Sequence, residues 1–252
     1  MKNKVLIFWL WFQWKKYVEY FFKKNYIVDW VTKTWLNKQN LFWLESIFNW
    51  DDIIKKEKIF FENYDLIIIA INPYNEQDKI INFLLKIWCK SKVIIEKPVS
   101  YNFELLEKLK KNNNYYFFID EIILNNIVIK IFNREKINKI IFIIYDDFKE
   151  NYIHILEHIS ASFLLLNEFN KILVKVKLLF NKNTFKNVLK YKILLDKKYI
   201  LYYNKWDLFL NNKKIKSLFF NESLDYILTL KSDNNNIIKN NFIYLRKYLN
   251  NL

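Results

Sequence analysis

Three tryptophans, Trp9, Trp11 and Trp14, follow a short apolar run at intervals of two and three residues. That is the spacing of G-x-G-x-x-G. Its glycines allow a tight turn, let a pyrophosphate touch the backbone and let a helix pack close to a strand. The position therefore belongs to dinucleotide chemistry, and indole is the worst side chain for each of the three tasks. Further along, His154-Ile155-Leu156-Glu157-His158 matches H-x-x-E-H. Two imidazoles four apart on a helix can hold zinc, with Glu157 as a base and Glu168 as a candidate third ligand. Glu150 lies four residues before His154, so a helix would carry carboxylate and imidazole on one face.

The elements that must position these groups follow from periodicity. Val5 to Phe8 is a continuous apolar run, as in a strand buried on both faces. Tyr17, Val18, Phe21 and Phe22 form one helical stripe. Tyr26 to Thr34 predicts a second strand, and Asp65 to Ala70 the strongest buried strand. A helix with Ile80, Ile81, Leu84 and Leu85 inward follows Asn72-Pro73. Lys92 to Ile95 is another strand, ended by Pro98. Ser100 or Asn102 can cap the next helix, whose inner face holds Phe103, Leu105, Leu106 and Leu109. Tyr115 to Ile119 closes the series. Alternation of strand and helix predicts an α/β domain over residues 1–120, a doubly wound parallel sheet.

Residues 121–252 change rhythm and predict a smaller α+β domain with a mostly antiparallel open sheet. Ile141 to Tyr145 is a strand and Ile153 to Leu166 a helix. Ile172 to Phe180, Tyr191 to Leu195, Tyr199 to Tyr203 and Asp207 to Leu210 read as antiparallel strands joined by Asp196-Lys197-Lys198 and Asn/Lys turns. The polar stretch Ser232 to Asn241 reads as a loop before a short tail helix.

Composition sets bounds. The chain has 252 residues, no glycine, nine Trp and a net charge of +15. Average usage would supply about 18 glycines. Ile (37), Lys (39), Asn (34), Phe (23) and Tyr (17) dominate, all with A/T-rich codons. The basic balance is thus mostly codon choice. Only Arg134 and Arg246 could make the bidentate contacts that nucleic-acid readers favour, so no nucleic-acid partner is expected. The single Cys89 excludes an internal disulfide framework and fits a reducing cytoplasm. No run of 18 apolar residues predicts a membrane span.

Zero glycine and nine Trp ask for one explanation. Trp35, Trp43 and Trp50 fall in loop stretches, Trp88 follows a helix, and Trp206 precedes a hairpin. Aromatic core packing is the plain alternative, but it leaves the missing glycine unexplained. A gene in which UGA encodes glycine, translated with UGA as tryptophan, yields this string. The nine Trp are therefore expected to be glycine in the native protein.

With glycine at those positions, residues 1–120 resemble the glucose-fructose oxidoreductase / inositol dehydrogenase family of NAD(P)-dependent oxidoreductases. Three stretches carry the likeness: the fingerprint spacing, DLIIIAINPYNEQ (Asp65 to Gln77) and VIIEKPVSYNFELLEKL (Val93 to Leu109). The second is similar to the family's A-T-P-x-x-x-H strand end, with Gln77 where His is usual, which loosens one expected nicotinamide-side contact. The third is similar to its E-K-P strand end. The resemblance implies cofactor contacts from Trp9, Trp11, Phe12, Gln13, Trp14, Thr32, Lys33, Thr34, Ile71, Asn72, Pro73, Glu96 and Lys97. It also implies that His154 is the base, Lys97 the donor to the reacting oxygen, and Glu150, in place of the family's Asp, the group that orients the imidazole or binds a substrate hydroxyl. The implied substrate is a sugar, sugar nucleotide or cyclitol, and the implied reaction needs no metal.

Lys33 is a cation between two hydroxyls, Thr32 and Thr34, at the end of the second strand. A cation there suits a 2′-phosphate, so NADP is expected ahead of NAD. Asp29 is the competing acid, placed inside the strand. An open second-domain sheet suits a homodimer or homotetramer. If the tryptophans are native, the loop is blocked, and the chain becomes a degenerate, catalytically dead relative or a basic binding module that stacks bases on aromatics.

Overall fold

A computed structural model describes residues 2–9, 14–33, 44–71, 74–96, 99–100, 102–118, 130–134, 136–146, 172–180, 191–196, 199–204, 207–217 and 220–249. Two compact units divide the chain, Met1–Phe118 and Ile119–Leu252.

The first unit runs β1 (Lys4–Trp9), α1 (Trp14–Lys23), β2 (Ile27–Thr32), β3 (Ser46–Asn49), α2 (Trp50–Ile53), α3 (Lys58–Glu62), β4 (Leu66–Ala70), α4 (Tyr74–Lys86), β5 (Lys92–Ile95), α5 (Phe103–Lys110) and β6 (Tyr115–Phe117). The strands form one sheet in the order β3-β2-β1-β4-β5-β6, and every pairing is parallel. Val5 to Phe8 and Leu66 to Ala70 are buried throughout, as central strands covered on both faces require. This is the Rossmann-like sheet that the alternation predicts. Tyr17, Val18 and Phe21 turn inward from α1, whereas Phe22 is exposed. Five steps from Tyr17 carry it well round a 3.6-residue turn. Trp50, expected in a loop, instead opens α2 behind the Asn49 cap and is buried, its ring edge-on to Phe8 at 6.0 Å. Trp30 is likewise buried in β2. These two indoles fill core volume, unlike the glycine-like places expected of all nine.

Trp88 does occupy such a place. Its φ is 53°, and the Trp88 and Cys89 amides donate to the carbonyls of Leu85 and Leu84. That pattern is the Schellman ending, whose left-handed residue is usually glycine. The chain's other described left-handed residues are Asn25, Asp196, Asn211 and Asn212, types that tolerate this region. A bulky side chain there costs about 1–2 kcal/mol, and the Trp88 indole is 78% exposed. Trp88→Gly should therefore stabilise the chain by about 1 kcal/mol, net of the freedom glycine adds to the unfolded state. At this size the thermal midpoint should rise by about 2–4 °C; a calorimetric scan checks it.

The second unit contains β7 (Lys139–Asp146), β8 (Leu173–Phe180), β9 (Tyr191–Leu195), β10 (Tyr199–Asn204), β11 (Asp207–Leu210), β12 (Lys213–Ser217), α6 (Phe220–Thr229) and α7 (Ser232–Leu249). Its sheet has the order β12-β11-β10-β9-β7-β8. Four pairings are antiparallel. Asn211 and Asn212, with φ of 48° and 67°, make the β11–β12 hairpin a two-residue turn with positive φ at both centres, the form that matches strand twist. β8 departs from the antiparallel expectation, because it pairs with β7 in parallel. The stretch 147–172 between them is long enough for the crossover that a parallel pair needs. The predicted helix over Ile153 to Leu166 lies outside the described residues.

Ser232 to Asn241 is not a loop but the first half of α7. Asn235, Ile238, Lys239, Phe242 and Ile243 are all buried, at steps of i, i+3, i+4, i+7 and i+8. A helical stripe is present, with an amide and an ammonium at two of its five places, which hides it from hydropathy. Burial pulls the Lys239 pKa down to about 8. The unfolded chain then holds more protons than the folded one between about pH 8 and the free-lysine value near 10.4, so stability rises with pH through that window. Lys239→Met, which removes the buried ammonium and keeps an unbranched apolar side chain, should melt higher than the parent at pH 7. That advantage should shrink towards pH 10, and thermal melts at the two pH values check it.

Candidate functional site

All six strands of the first sheet point one way, so their carboxyl ends share one edge. The chain leaves β3 on one side and enters β4 on the other, beside β1. That reversal is the switch point where open α/β sheets bind ligands. Trp9 ends β1 and Trp14 begins α1, so the fingerprint spacing runs from a strand end to a helix start at this point. Trp11, Phe12 and Gln13, between them in sequence, lie outside the described residues.

Gln77 organises the next two strand ends. Its side chain is buried. Its Oε1 accepts from the Ile71 amide at 3.3 Å. Its Nε2 donates to the carbonyls of Glu96 at 3.3 Å and Val99 at 3.0 Å. One amide thus ties the exit of β4 to the backbone before and after residues 97 and 98. Because every one of these partners is main chain, Gln77 acts here as an internal clamp, a role the expected loss of a nicotinamide contact did not foresee. Residues 97 and 98 themselves lie outside the described residues, as do Asn72 and Pro73.

Glu96 is also held. Tyr17 Oη donates to Glu96 Oε1 at 2.8 Å, joining α1 to the end of β5, and the Glu96 amide donates to the Ile69 carbonyl. Beyond the turn, Ser100 Oγ donates to Asp78 Oδ2 at 3.0 Å and accepts from the Asn102 amide. Burial raises the Asp78 carboxyl above its usual range. Of the two expected caps, Asn102 is the one used: its Oδ1 accepts from the Leu105 amide.

At the end of β2, Thr32 is buried and Lys33 is exposed. The Lys33 ammonium is 2.8 Å from Glu76 Oε2 and 5.3 Å from the centre of the Trp50 ring. Lys79 holds the other Glu76 oxygen at 2.8 Å. Hydrogen bonds from Lys33 and then Lys79 keep the Glu76 carboxyl below the usual range. Asp29 lies inside β2, opposite Leu6. It is buried and accepts from Tyr64 Oη at 2.8 Å, and desolvation raises its pKa. The sequence singles out Lys33 as a cation; its partner Glu76, 43 residues away, carries no local signal.

Thr34, Glu150, His154, Glu157, His158 and Glu168 lie outside the described residues. Among the described residues, no group of three or more His, Cys, Asp or Glu could hold a metal. No described helix is long and apolar enough to cross a membrane.

No family model matches the sequence, and no curated protein matches it. Solved structures do match in fold. The WlbA (WbpB) dehydrogenase from Thermus thermophilus, solved with NAD and UDP-GlcNAcA, is 10% identical over 98% of this chain and 95% of its own, with a TM-score of 0.60. A myo-inositol dehydrogenase from Corynebacterium glutamicum is 8% identical over 96% and 95%, with a TM-score of 0.56. The transcriptional regulator Gal80p from Kluyveromyces lactis is 10% identical over 100% and 89%, with a TM-score of 0.62. The two dehydrogenases are of the family that the N-terminal motifs resemble. At these identities the likeness is one of fold.

Proposed function

We propose that the chain is an NAD(P)-dependent oxidoreductase acting on a hydroxyl or keto group of a sugar, sugar nucleotide or cyclitol. One observation carries this reading. The fingerprint spacing runs from a strand end to a helix start at the switch point of a parallel sheet, and two strands away Gln77 holds the carbonyls of Glu96 and Val99 on either side of the Lys97-Pro98 dipeptide. Fold-level likeness to dehydrogenases supports it as analogy.

The sheet and α1 suit a dinucleotide, but three indoles do not, since each would fill backbone space that a pyrophosphate needs. The reading therefore includes glycine at positions 9, 11 and 14 of the native protein, and the left-handed Trp88 supports the same substitution elsewhere. Peptide sequencing of the native protein tests this, and indole-containing peptides at those positions would sink it.

A bound nicotinamide supplies the hydride acceptor or donor. For oxidation, the alcohol carbon loses a hydride and its oxygen loses a proton. His154 takes the proton, its ordinary pKa near 6.5 suiting the task. Lys97 donates a hydrogen bond to the same oxygen and stabilises its developing negative charge. Glu150 orients the imidazole or binds a substrate hydroxyl. Thr32, Lys33, Ile71 and Glu96 line the cofactor side by position.

A second reading rests on the indoles and on the Gal80p match: a chain with this fold that binds without catalysing. Titration with NADH separates the two. Binding by the combined Trp9→Gly, Trp11→Gly and Trp14→Gly variant supports the oxidoreductase, and binding by neither version removes it.

A further inference from the structure

Lys33 follows β2 and Glu76 lies in the first turn of α4, after β4. In the sheet, β1 stands between β2 and β4. Their 2.8 Å ion pair therefore joins the segments that follow the two strands flanking β1. Lys33 is also 19 residues beyond Trp14, close to the interval at which dinucleotide folds place the acid that reads the adenosine ribose. β2 offers no such acid: Asp29 is inside the strand, buried and bonded to Tyr64. A carboxylate nevertheless reaches this place, delivered from α4.

We propose that Glu76 is the ribose-reading acid of this chain and that its pairing with Lys33 makes the chain prefer NAD(H) to NADP(H). The assignment rests on the oxidoreductase reading above and replaces the expectation, drawn from Lys33 alone, that a cation there favours NADP. A carboxylate has about four lone-pair sites. Lys33 and Lys79 each occupy one, leaving room to accept from a ribose 2′-hydroxyl. A 2′-phosphate meets the same carboxylate as a like charge. The Lys33 ammonium keeps further donors, but reaching them brings the phosphate up against the Glu76 carboxylate 2.8 Å away. The Glu76 side chain is 15% exposed against 41% for Lys33, so the acid is the less screened of the two.

The experiment measures Kd for NADH and NADPH by fluorescence, in whichever of the parent and the triple-glycine chain binds NADH. Glu76→Gln keeps the shape, removes the charge and frees Lys33. It should move the NADPH/NADH affinity ratio towards NADPH by about tenfold, the size of one hydrogen bond to a charged group. Glu76→Gln with Lys33→Gln should abolish that gain. A ratio unmoved by Glu76→Gln, or a starting preference for NADPH, overturns the assignment while leaving the oxidoreductase reading standing. Failure of every version to bind either dinucleotide overturns both.

Discussion

Replacing Trp9, Trp11 and Trp14 together by glycine is expected to tighten NADH binding by at least about 100-fold, from no measurable affinity to the micromolar range. A hydrogen bond to a charged group is worth about 1.5–3 kcal/mol, so one or two backbone amides on the pyrophosphate supply that factor, each tenfold in Kd being about 1.4 kcal/mol. Trp9 stands at the end of β1 and Trp14 at the start of α1. At the second position any Cβ lies between the backbone and the pyrophosphate, and at the third it separates helix from strand. Overpacking there also costs about 1–3 kcal/mol per site, so the variant should melt higher as well. Isothermal titration and a thermal melt read both effects. Tighter folding without NADH binding would keep the glycine substitution and discard the cofactor.

Lys97→Met should lower kcat by about 10²–10³-fold, the size of losing one preorganised donor to a developing oxyanion, while NADH still binds. The assay uses whichever sugar nucleotide or cyclitol the glycine variant oxidises. Gln77→Ala is the companion variant. It removes the three hydrogen bonds by which Gln77 ties the Ile71 amide to the carbonyls of Glu96 and Val99, the last two on either side of Lys97, and each buried group left unpaired costs about 1–3 kcal/mol. It should lower both the melting temperature and kcat. Unchanged turnover in Lys97→Met removes Lys97 from the mechanism; unchanged turnover in Gln77→Ala shows that the turn holds its place without the clamp.

Much of the first unit is legible before folding. Leu66 to Ala70 and Val5 to Phe8 announce central strands because a strand buried on both faces has no polar positions to interrupt it. β3 and α3 are missed for the opposite reason: Ser46 to Asn49 is a four-residue edge strand whose residues are all only half-buried, and Lys58 to Glu62 is a helix of five. Neither repeats its period often enough to be read. In α7, buried Asn235 and Lys239 break the apolar stripe, so a helix passes for a polar loop. At the site, the fingerprint spacing, the Glu96-Lys97-Pro98 motif and Gln77 stand out in the sequence by their neighbours along the chain.

Local order along the chain thus suffices for the strand runs, the strand–turn–helix and the position of the second-strand cation, because those depend on residues a few places apart. Folding alone settles the charges and the polar ties. Lys33 meets Glu76, Tyr17 meets Glu96, and Asp29 meets Tyr64, partners 43, 79 and 35 residues apart. Side-chain hydrogen bonds act only over about 3 Å, so these groups have no influence on one another until the parallel sheet brings its strand ends together. Lys33 is a cation in the sequence; in the folded chain it is paired with Glu76, and the proposed preference for NAD(H) rests on that pairing.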